Sequence, residues 1–493
     1  MANRYDEVPY PGRVFPATHP DHLAVIATLF GMAPAPPAHC RVLELGCGDG
    51  GNLIPMAYEL PHSEFTGVDL ASQPIRQGRE DIGRLGLRNL QLIEADLTDF
   101  VPANGLFDYI IAHGLYSWVP ECVRQKIWRI IAAGLAPQGV AYVSYNACPG
   151  GLFRDAVRQI LLYHVRDITL PAEQINEARK LLAYLAGLSS HDDEFRALLS
   201  RESKDLNSRS ASAVYHDYLS PDSQPFWLHE VAESAAAHGL QYLGDADLQL
   251  MQIQAIPESA PELPRFPPPE AGFLAREQYA DILLCRRFRR TLVCRAEVNL
   301  DRSLSPFLAR RFELASPLAP PAPEPSLDDS VRVEFSSPQA GSITTNYPLG
   351  KAALLELSVR WPESIPFEAL LDKACRRLGE EPSEDAGSDL AKFLWRLASA
   401  GVVELHLHHF SFSLTAGDRP VASPAARLWA GRDALVPNLR HRAIELATSR
   451  AKQLLVLLDG TRDRTALARE MQASPDEIEH GLRDLARMAM LLY

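Results

Sequence analysis

Between residues 40 and 150, short runs that are nearly all apolar alternate with longer segments of mixed polarity. The apolar runs are CRVLEL (40–45), EFTGVDL (64–70), LQLIEADL (90–97), FDYIIAH (107–113) and GVAYVSYN (139–146). A strand that is apolar along its whole length, rather than at alternate positions, is covered on both faces. The segments between them, such as PIRQGREDIGRLG (74–86) and ECVRQKIWRIIAAGL (121–135), have helical length and spacing. Strands alternating with helices predict a doubly wound α/β domain built on a parallel sheet.

After residue 150 the strand signal stops. FRDAVRQILLYHVRD (153–167), PAEQINEARKLLAYLAGL (171–188) and EFRALLSRESKDL (194–206) read as helices. PFWLHEVAESAAAHGLQYLGDADLQL (225–250) then predicts a helix stopped by Gly239 and a strand, and RRFRRTLVCRAEV (286–298) predicts another strand. Two late strands would cover an edge that the first five leave bare. That favours a helical insertion at 151–221 over an independent helical domain. The expected core is thus 40–150 with 222–300, a seven-stranded Rossmann-like sheet preceded by a lid or helical segment at 1–39. ELASPLAPPAPEPSLDDS (313–330) is dense in proline and predicts a linker. From 331 to 493, amphipathic helices with short strand pairs, clearest at 402–413, predict a mainly helical, winged-helix-like domain.

Charge and composition narrow the function classes. The chain of 493 residues carries 49 Lys and Arg against 62 Asp and Glu, a net charge of −13. Nucleic-acid binding needs a basic face to displace counterions, so nucleic acid is not an expected partner. The 7 cysteines include no C-x-x-C pair, so neither zinc nor a disulfide framework is expected. The N-terminal MANRYDEVPYPG has no signal pattern and no run reaches membrane-spanning length, which predicts a cytoplasmic protein with no membrane partner.

The chemistry centres on RVLELGCGDGGN (41–52). Its glycines fit a dinucleotide fingerprint, and Asp69 ends the next strand, where an acid can hold ribose hydroxyls. Glu44 before the first glycine and Asp49 inside the loop would repel a pyrophosphate. S-adenosylmethionine has no phosphate, and its sulfonium and amino groups are positive. Asp96 ends the third strand, where it can accept from the adenine amine, with Leu97 against the ring. The triphosphate-binding lysine is absent. This spacing of acids predicts a class I methyltransferase that uses S-adenosylmethionine and releases S-adenosylhomocysteine. The expected cofactor residues are Glu44, Gly46, Gly48, Asn52, Asp69, Leu70, Asp96, Leu97 and His113.

Methyl transfer is an in-line displacement, so the catalytic candidates stand at strand ends beside the cofactor. They are His113, Tyr116, Tyr145 and Asn146. His113 reads equally as a general base or as a packed imidazole whose backbone meets the cofactor. Tyr116, Trp118 and Tyr145 read equally as an aromatic wall for an amine and as core residues. Tyr5, Tyr10 and His19, with Phe15, make residues 5–20 a candidate lid stiffened by Pro9 and Pro11. The RRFRR run (286–290) reads as a lure for an acidic peptide or as a solvated strand end.

Several stretches are more specific than the glycine loop. They are YDEVPYPGRVFPATHPDHLAVIATLFGM (5–32), FDYIIAHGLYSWVP (107–120), YVSYNACPGG (142–151), YHDYL (215–219), HEVAESAAAHGLQYLGDADL (229–248) and REQYADILLCRRFRRTLVCR (276–295). RPVASPAARLWA (419–430) and LLDGTRDR (457–464) extend them. Together they resemble the bacterial class I methyltransferases that carry a methyltransferase regulatory domain. That group includes the rickettsial protein-lysine methyltransferases of outer-membrane protein. The resemblance implies a protein or peptide substrate with lysine nitrogen as acceptor, and places the regulatory region in the insertion. Another peptide nitrogen or a carboxylate stays open as acceptor. So do a small-molecule methyltransferase, with its C-terminal domain serving as a homodimer interface, and a cofactor-binding regulator without turnover.

Overall fold

The computed structural model describes residues 4–102, 105–188, 193–251, 270–433 and 435–493. A short helix, α1 (Arg4–Glu7), and a longer one, α2 (Pro20–Leu29), precede the sheet. There follow β1 (Arg41–Leu45), α3 (Leu53–Glu59), β2 (Glu64–Asp69), α4 (Ser72–Leu85), β3 (Leu90–Glu94), β4 (Phe107–Ala112), α5 (Glu121–Gly134) and β5 (Leu135–Asn146). Helices α6 (Gly150–Val165), α7 (Pro171–Gly187), α8 (Asp193–Ser208) and α9 (Ala211–Tyr218) then leave the sheet. The chain returns through α10 (Leu228–Ala236), β6 (Leu240–Asp245), α11 (Leu248–Met251), α12 (Phe273–Leu283) and β7 (Phe288–Arg295).

The strand order is β3-β2-β1-β4-β5-β7-β6. β1 to β5 run parallel, while β7 is antiparallel to both β5 and β6. This is the expected seven-stranded, Rossmann-like sheet. Both faces are covered, as the apolar strands require. Leu23 of α2 and Phe30 just past its end pack with Val42 and Tyr109 on one face, and Trp128 and Ile131 of α5 pack with Leu43 and Ile110 on the other. The helices at 150–218 have a core of their own, with Val157, Leu161, Leu182, Leu206 and Tyr218 buried together. They are an insertion between the fifth strand and the last two.

Beyond the sheet the structure departs from the expected division. The proline-dense stretch does not begin as a linker: Glu313–Ala315 is β8, and Leu314, Ala315 and Leu318 are fully buried. β9 (Val333–Ser337), β10 (Gly341–Thr345), α13 (Pro348–Arg360), β11 (Ile365–Pro366), α14 (Phe367–Leu378), α15 (Glu384–Ser399) and β12 (Glu404–His406) complete that unit. β8 lies between β11 and β12, and Phe335, Leu354, Phe367 and Leu390 share a separate core.

The last part is α16 (Pro424–Ala430), β13 (Leu435–Pro437), β14 (Ala443–Glu445), α17 (Ser449–Leu457), α18 (Arg464–Met471) and α19 (Pro475–Arg487). Its Trp429, Leu455 and Leu482 belong to the same apolar cluster as Ile54 and Met56 of α3. The expected single domain at 331–493 is therefore two units. One has its own core, and the other is built onto the sheet.

The RRFRR run is neither a solvated end nor a free basic patch. The Arg289 side chain is fully buried, with Nε 2.7 Å from Asp281, Nη2 3.0 Å from Glu277 and Nη1 3.3 Å from Asp245. Arg286 shares Asp245 and Asp281, Arg287 pairs with Glu202, and Arg290 pairs with Asp247. No helix among the described residues is long and apolar enough to cross a membrane.

Candidate functional site

The glycine loop leaves β1 at the carboxyl edge of the sheet, where the strand order turns between β1 and β4. Gly46 and Cys47 N–H both donate to the Val68 carbonyl, at 2.8 and 3.2 Å, which seats the loop on the end of β2. Gly48 N–H donates to Asp69 Oδ2 at 2.8 Å, and Ala71 N–H donates to Asp69 Oδ1 at 2.8 Å. Asp69 is thus fixed against the glycine loop at the end of β2, although burial raises its carboxyl above the ordinary aspartate value. Gly48 has φ +54°, and a Cβ there would meet nothing within 4 Å. The space it faces is open.

Glu44 is 3% exposed, and burial pushes its carboxyl up to about 8. Its Oε1 accepts from Asn52 Nδ2 at 3.0 Å, while its Oε2 has no hydrogen-bond partner among the described residues. A buried carboxylate oxygen left without a donor is costly unless something brings one.

The N-terminal segment crosses directly over this loop. A Cβ on Gly51 would lie 2.6 Å from Gly12 Cα, so the two backbones touch where only glycines fit. Asp49 accepts from Gly51 N–H at 2.9 Å and from Gly12 N–H. Its charge is spent on holding this strap, not on the cofactor as the repulsion argument assumed. Phe15 N–H donates to Asn52 Oδ1 at 3.0 Å, and the Phe15 ring lies 3.7 Å from His113. Between these anchors stands Arg13, whose buried Nη1 has no hydrogen-bond partner among the described residues.

The far end of the strap is clasped by α9 of the insertion. Arg4 donates to the Leu219 carbonyl at 3.0 Å, Tyr215 to Glu7 at 3.1 Å, and Ser212 to the Pro9 carbonyl at 2.7 Å. Tyr5 stacks on His216 at 4.3 Å, and Tyr10 meets the same ring edge-on at 5.6 Å. Asp6 accepts from Gln73 N–H at 2.9 Å beside the end of β2. Tyr5 and Tyr10 therefore anchor the strap to α9. His19 does not: it caps α2, is 3% exposed, and sits 3.4 Å from Glu59 beneath the C-terminal unit.

These groups suit the amino-acid, ribose and base parts of S-adenosylmethionine. Glu44 Oε2 and Arg13 Nη1, both buried and without a hydrogen-bond partner among the described residues, suit an ammonium, which would draw the Glu44 carboxyl into its ionised form, and a carboxylate. Asp69, at the end of β2, suits a diol, and Leu70, 57% exposed beside it, offers an apolar face to a ring. Asp96 lies two residues past the end of β3, exposed, with Oδ1 accepting from the Thr98 amide and hydroxyl at 2.8 Å each. Leu97 is turned away into the core and is 8% exposed.

The expected catalytic aromatics are corrected by burial. Tyr116 is core: its hydroxyl accepts from Trp128 Nε1 at 3.1 Å. Tyr145 is core as well, with its hydroxyl 2.9 Å from Thr291 Oγ1. Trp118 stays half-buried, but the Arg158 guanidinium already lies 5.7 Å from its ring centre. His113 is half-buried, with Nδ1 3.0 Å from the Tyr142 hydroxyl, and desolvation with Arg290 nearby pushes its imidazole down to about 3. It remains neutral and packed, so the base reading finds no support.

Asn146 differs from these. Its N–H is held by Ser117 Oγ at 2.8 Å and its carbonyl by Phe226 N–H at 2.9 Å. Its side chain lines a small cleft with Gly151, Arg154 and Arg158.

Comparison with known proteins adds the family. Residues 42–139 match the family described as "Methyltransferase domain", and residues 210–295 match "Predicted methyltransferase regulatory domain". Residues 418–487 match "PKMT, C-terminal winged helix domain". The chain is 33% identical over 232 residues to "Uncharacterized protein RP028" of Rickettsia prowazekii (strain Madrid E), covering 47% of this chain and 93% of that one. The chain belongs to this methyltransferase family. It is a class I enzyme that uses S-adenosylmethionine.

A second relative of this methyltransferase, "Uncharacterized protein RP789" of the same organism, is 29% identical over 98% of this chain and 88% of its own. The solved structure of PKMT2 from Rickettsia typhi superposes with a TM-score of 0.88 at 26% identity, over 98% of this chain and 100% of that one. A complex of PKMT2 with AdoHcy is equally similar in fold, at 25% identity. The regulatory-domain match runs from α9 through β7. It overlaps the 151–221 insertion only at its end, so the name covers the closing strands more than the helices before them.

Sequence reasoning missed Gly12, Arg13 and His441 as members of the site, while Phe15 was among the expected lid residues. GRVFP (12–16) stood inside the lid stretch and carried the first two. His441 had no local signal at all.

Proposed function

We propose that this methyltransferase transfers a methyl group to a side-chain nitrogen of a protein or peptide, with lysine as the acceptor. The observation that carries the reading is the extent of the likeness to PKMT2. It spans 98% of the chain, so it takes in the insertion, the 313–406 unit and the winged-helix unit, all of which lie outside the cofactor sheet. When bound, S-adenosylmethionine supplies a methyl group on a sulfonium, an electrophile that needs only an aligned lone pair. The work left to the protein is placement.

The loop, Asp69 and the strap hold one reactant from below and above. At the end of β5, the Asn146 side chain can accept an N–H of the acceptor amine and turn its lone pair toward the methyl. His113 cannot take the amine's proton, because desolvation keeps its basicity far below that of an amine. The acceptor therefore has to arrive neutral, and turnover should rise with pH as the free amine fraction grows.

The test is incubation with methyl-labelled cofactor and protein from the native host, followed by hydrolysis to amino acids. Label recovered as methyl-lysine supports the reading. Label confined to small molecules, or released from protein by mild alkali as from an ester, overturns it.

A further inference from the structure

The C-terminal unit reaches the cofactor loop. Between β13 and β14 the chain makes a tight hairpin, Asn438 to Arg442, held by Asn438 itself. Asn438 Oδ1 accepts from the Arg440 and Arg442 amides at 3.0 and 2.9 Å, and its Nδ2 donates to the Met488 carbonyl at 2.9 Å. At the tip, His441 adopts φ +52°, a conformation that a non-glycine residue takes only where its surroundings enforce it. Arg440 turns back against Trp361 and pairs with Glu404, whereas His441 points into the methyltransferase sheet.

There its Nε2 lies 2.9 Å from Asn52 Oδ1. Asn52 is a hub with each atom assigned. Its Oδ1 also accepts from Phe15 N–H at 3.0 Å, and its Nδ2 donates to Glu44 Oε1 and to Thr18 Oγ1, both at 3.0 Å. The amide cannot flip without setting its NH2 against the Phe15 N–H, which can only donate. An amide oxygen accepts only, so His441 Nε2 must carry the proton. His441 is 3% exposed, and burial holds its imidazole well below the ordinary histidine value, which leaves that single N–H.

From these contacts we infer that the winged-helix unit is a working part of the cofactor site, with His441 as a positioning residue. It fixes the Asn52 amide, which in turn holds Glu44 through Oε1 and leaves its buried Oε2 to a ligand. The inference rests on the reading of the loop as the cofactor site. It assigns the C-terminal unit a task toward the cofactor, separate from any part in recognising the acceptor. Asn52 joins four elements at one amide: the strap, the approach to α2, the loop acid and a hairpin 389 residues away.

Two substitutions differ only in reach. His441→Asn suits the left-handed backbone, but its amide is too short to meet Asn52. His441→Gln can place a donor near the position of Nε2. Calorimetric titration with S-adenosylhomocysteine should find His441→Asn about tenfold weaker than the parent and His441→Gln within about twofold of it. Thermal unfolding without ligand should be alike for the two variants. Asn52→Ala should weaken binding at least as much, and adding His441→Asn to it should weaken it no further.

The inference is overturned if His441→Asn binds as tightly as the parent, if His441→Gln fails to restore binding, or if the two losses multiply. Failure of the parent protein to bind S-adenosylhomocysteine is a different result. That would remove the cofactor reading itself, and this inference with it.

Discussion

The buried carboxyl of Glu44 makes cofactor affinity depend on pH in a way that can be worked out in advance. Desolvation raises it to about 8 in the free protein, and its Oε2 has no donor. A cationic amino group placed there favours the ionised form, so binding lowers the pKa and expels a proton wherever the carboxyl was protonated. A raised acid that must ionise to bind gives an affinity that grows with pH. It rises about tenfold per unit, or about 1.4 kcal/mol, up to the free-protein value near 8.

Above that value the affinity levels off, and it falls again only once the ligand's own α-amine, which its neighbouring carboxylate makes more basic than a peptide N-terminus, loses its proton. The profile for S-adenosylhomocysteine should therefore rise to about pH 8 and then flatten, with close to one proton released on its acid side. Calorimetry in buffers of different ionisation enthalpy measures both quantities. Glu44→Gln should flatten the acid limb and weaken binding on the plateau by about 2 kcal/mol. Asp69, also raised by burial, is retained in that variant, so any limb it contributes survives. An affinity that does not change between about pH 6 and 8, or an acid limb unaltered in Glu44→Gln, would refute the reasoning.

Three further outcomes follow from the packing. Gly12→Ala puts a Cβ 2.9 Å from Gly51 Cα and into the Asp49 carboxylate. It should lift the strap at a cost of about 1–3 kcal/mol, read as weaker S-adenosylhomocysteine binding and faster proteolysis before residue 20. Arg289→Met leaves Glu277 without the cation it pairs with and Asp281 and Asp245 with Arg286 alone, and should destabilise folding by about 3–5 kcal/mol in urea titrations. A loss under 1 kcal/mol would show that those acids bury neutral. Tyr116→Phe and Tyr145→Phe each remove one core hydrogen bond. They should lower stability by about 1 kcal/mol and leave cofactor affinity unchanged; the reverse pattern would return them to the site.

The sheet was legible because its strands are apolar along their whole length. Val42, Leu43 and Leu45 are all fully buried, so composition alone marks them. Register within a strand was harder. Tyr142 and Tyr145 are three positions apart and point to opposite faces, one toward His113 and the other into the core under α5. An aromatic at a strand end reads the same either way.

Proline content misled at 313–318, because the prolines flank a strand that is buried between two others. Asp49 had the charge expected of a cofactor-loop acid, but Gly51 N–H within the loop and Gly12 N–H of the N-terminal strap claim it. His441 was invisible for a related reason. Its partner is set by how the C-terminal unit docks, through Arg432 on Asp81 at 2.6 Å and His408 on Glu59 at 2.5 Å, and no local pattern encodes that.

A crystal structure with S-adenosylhomocysteine bound tests the centre of this account most directly. The account predicts its ammonium within hydrogen-bond distance of Glu44 Oε2, its carboxylate on Arg13, its ribose on Asp69 and its adenine against Leu70, all beneath the strap. A ligand seated elsewhere, or one bound there with Glu44 Oε2 and Arg13 Nη1 still unpaired, would contradict it.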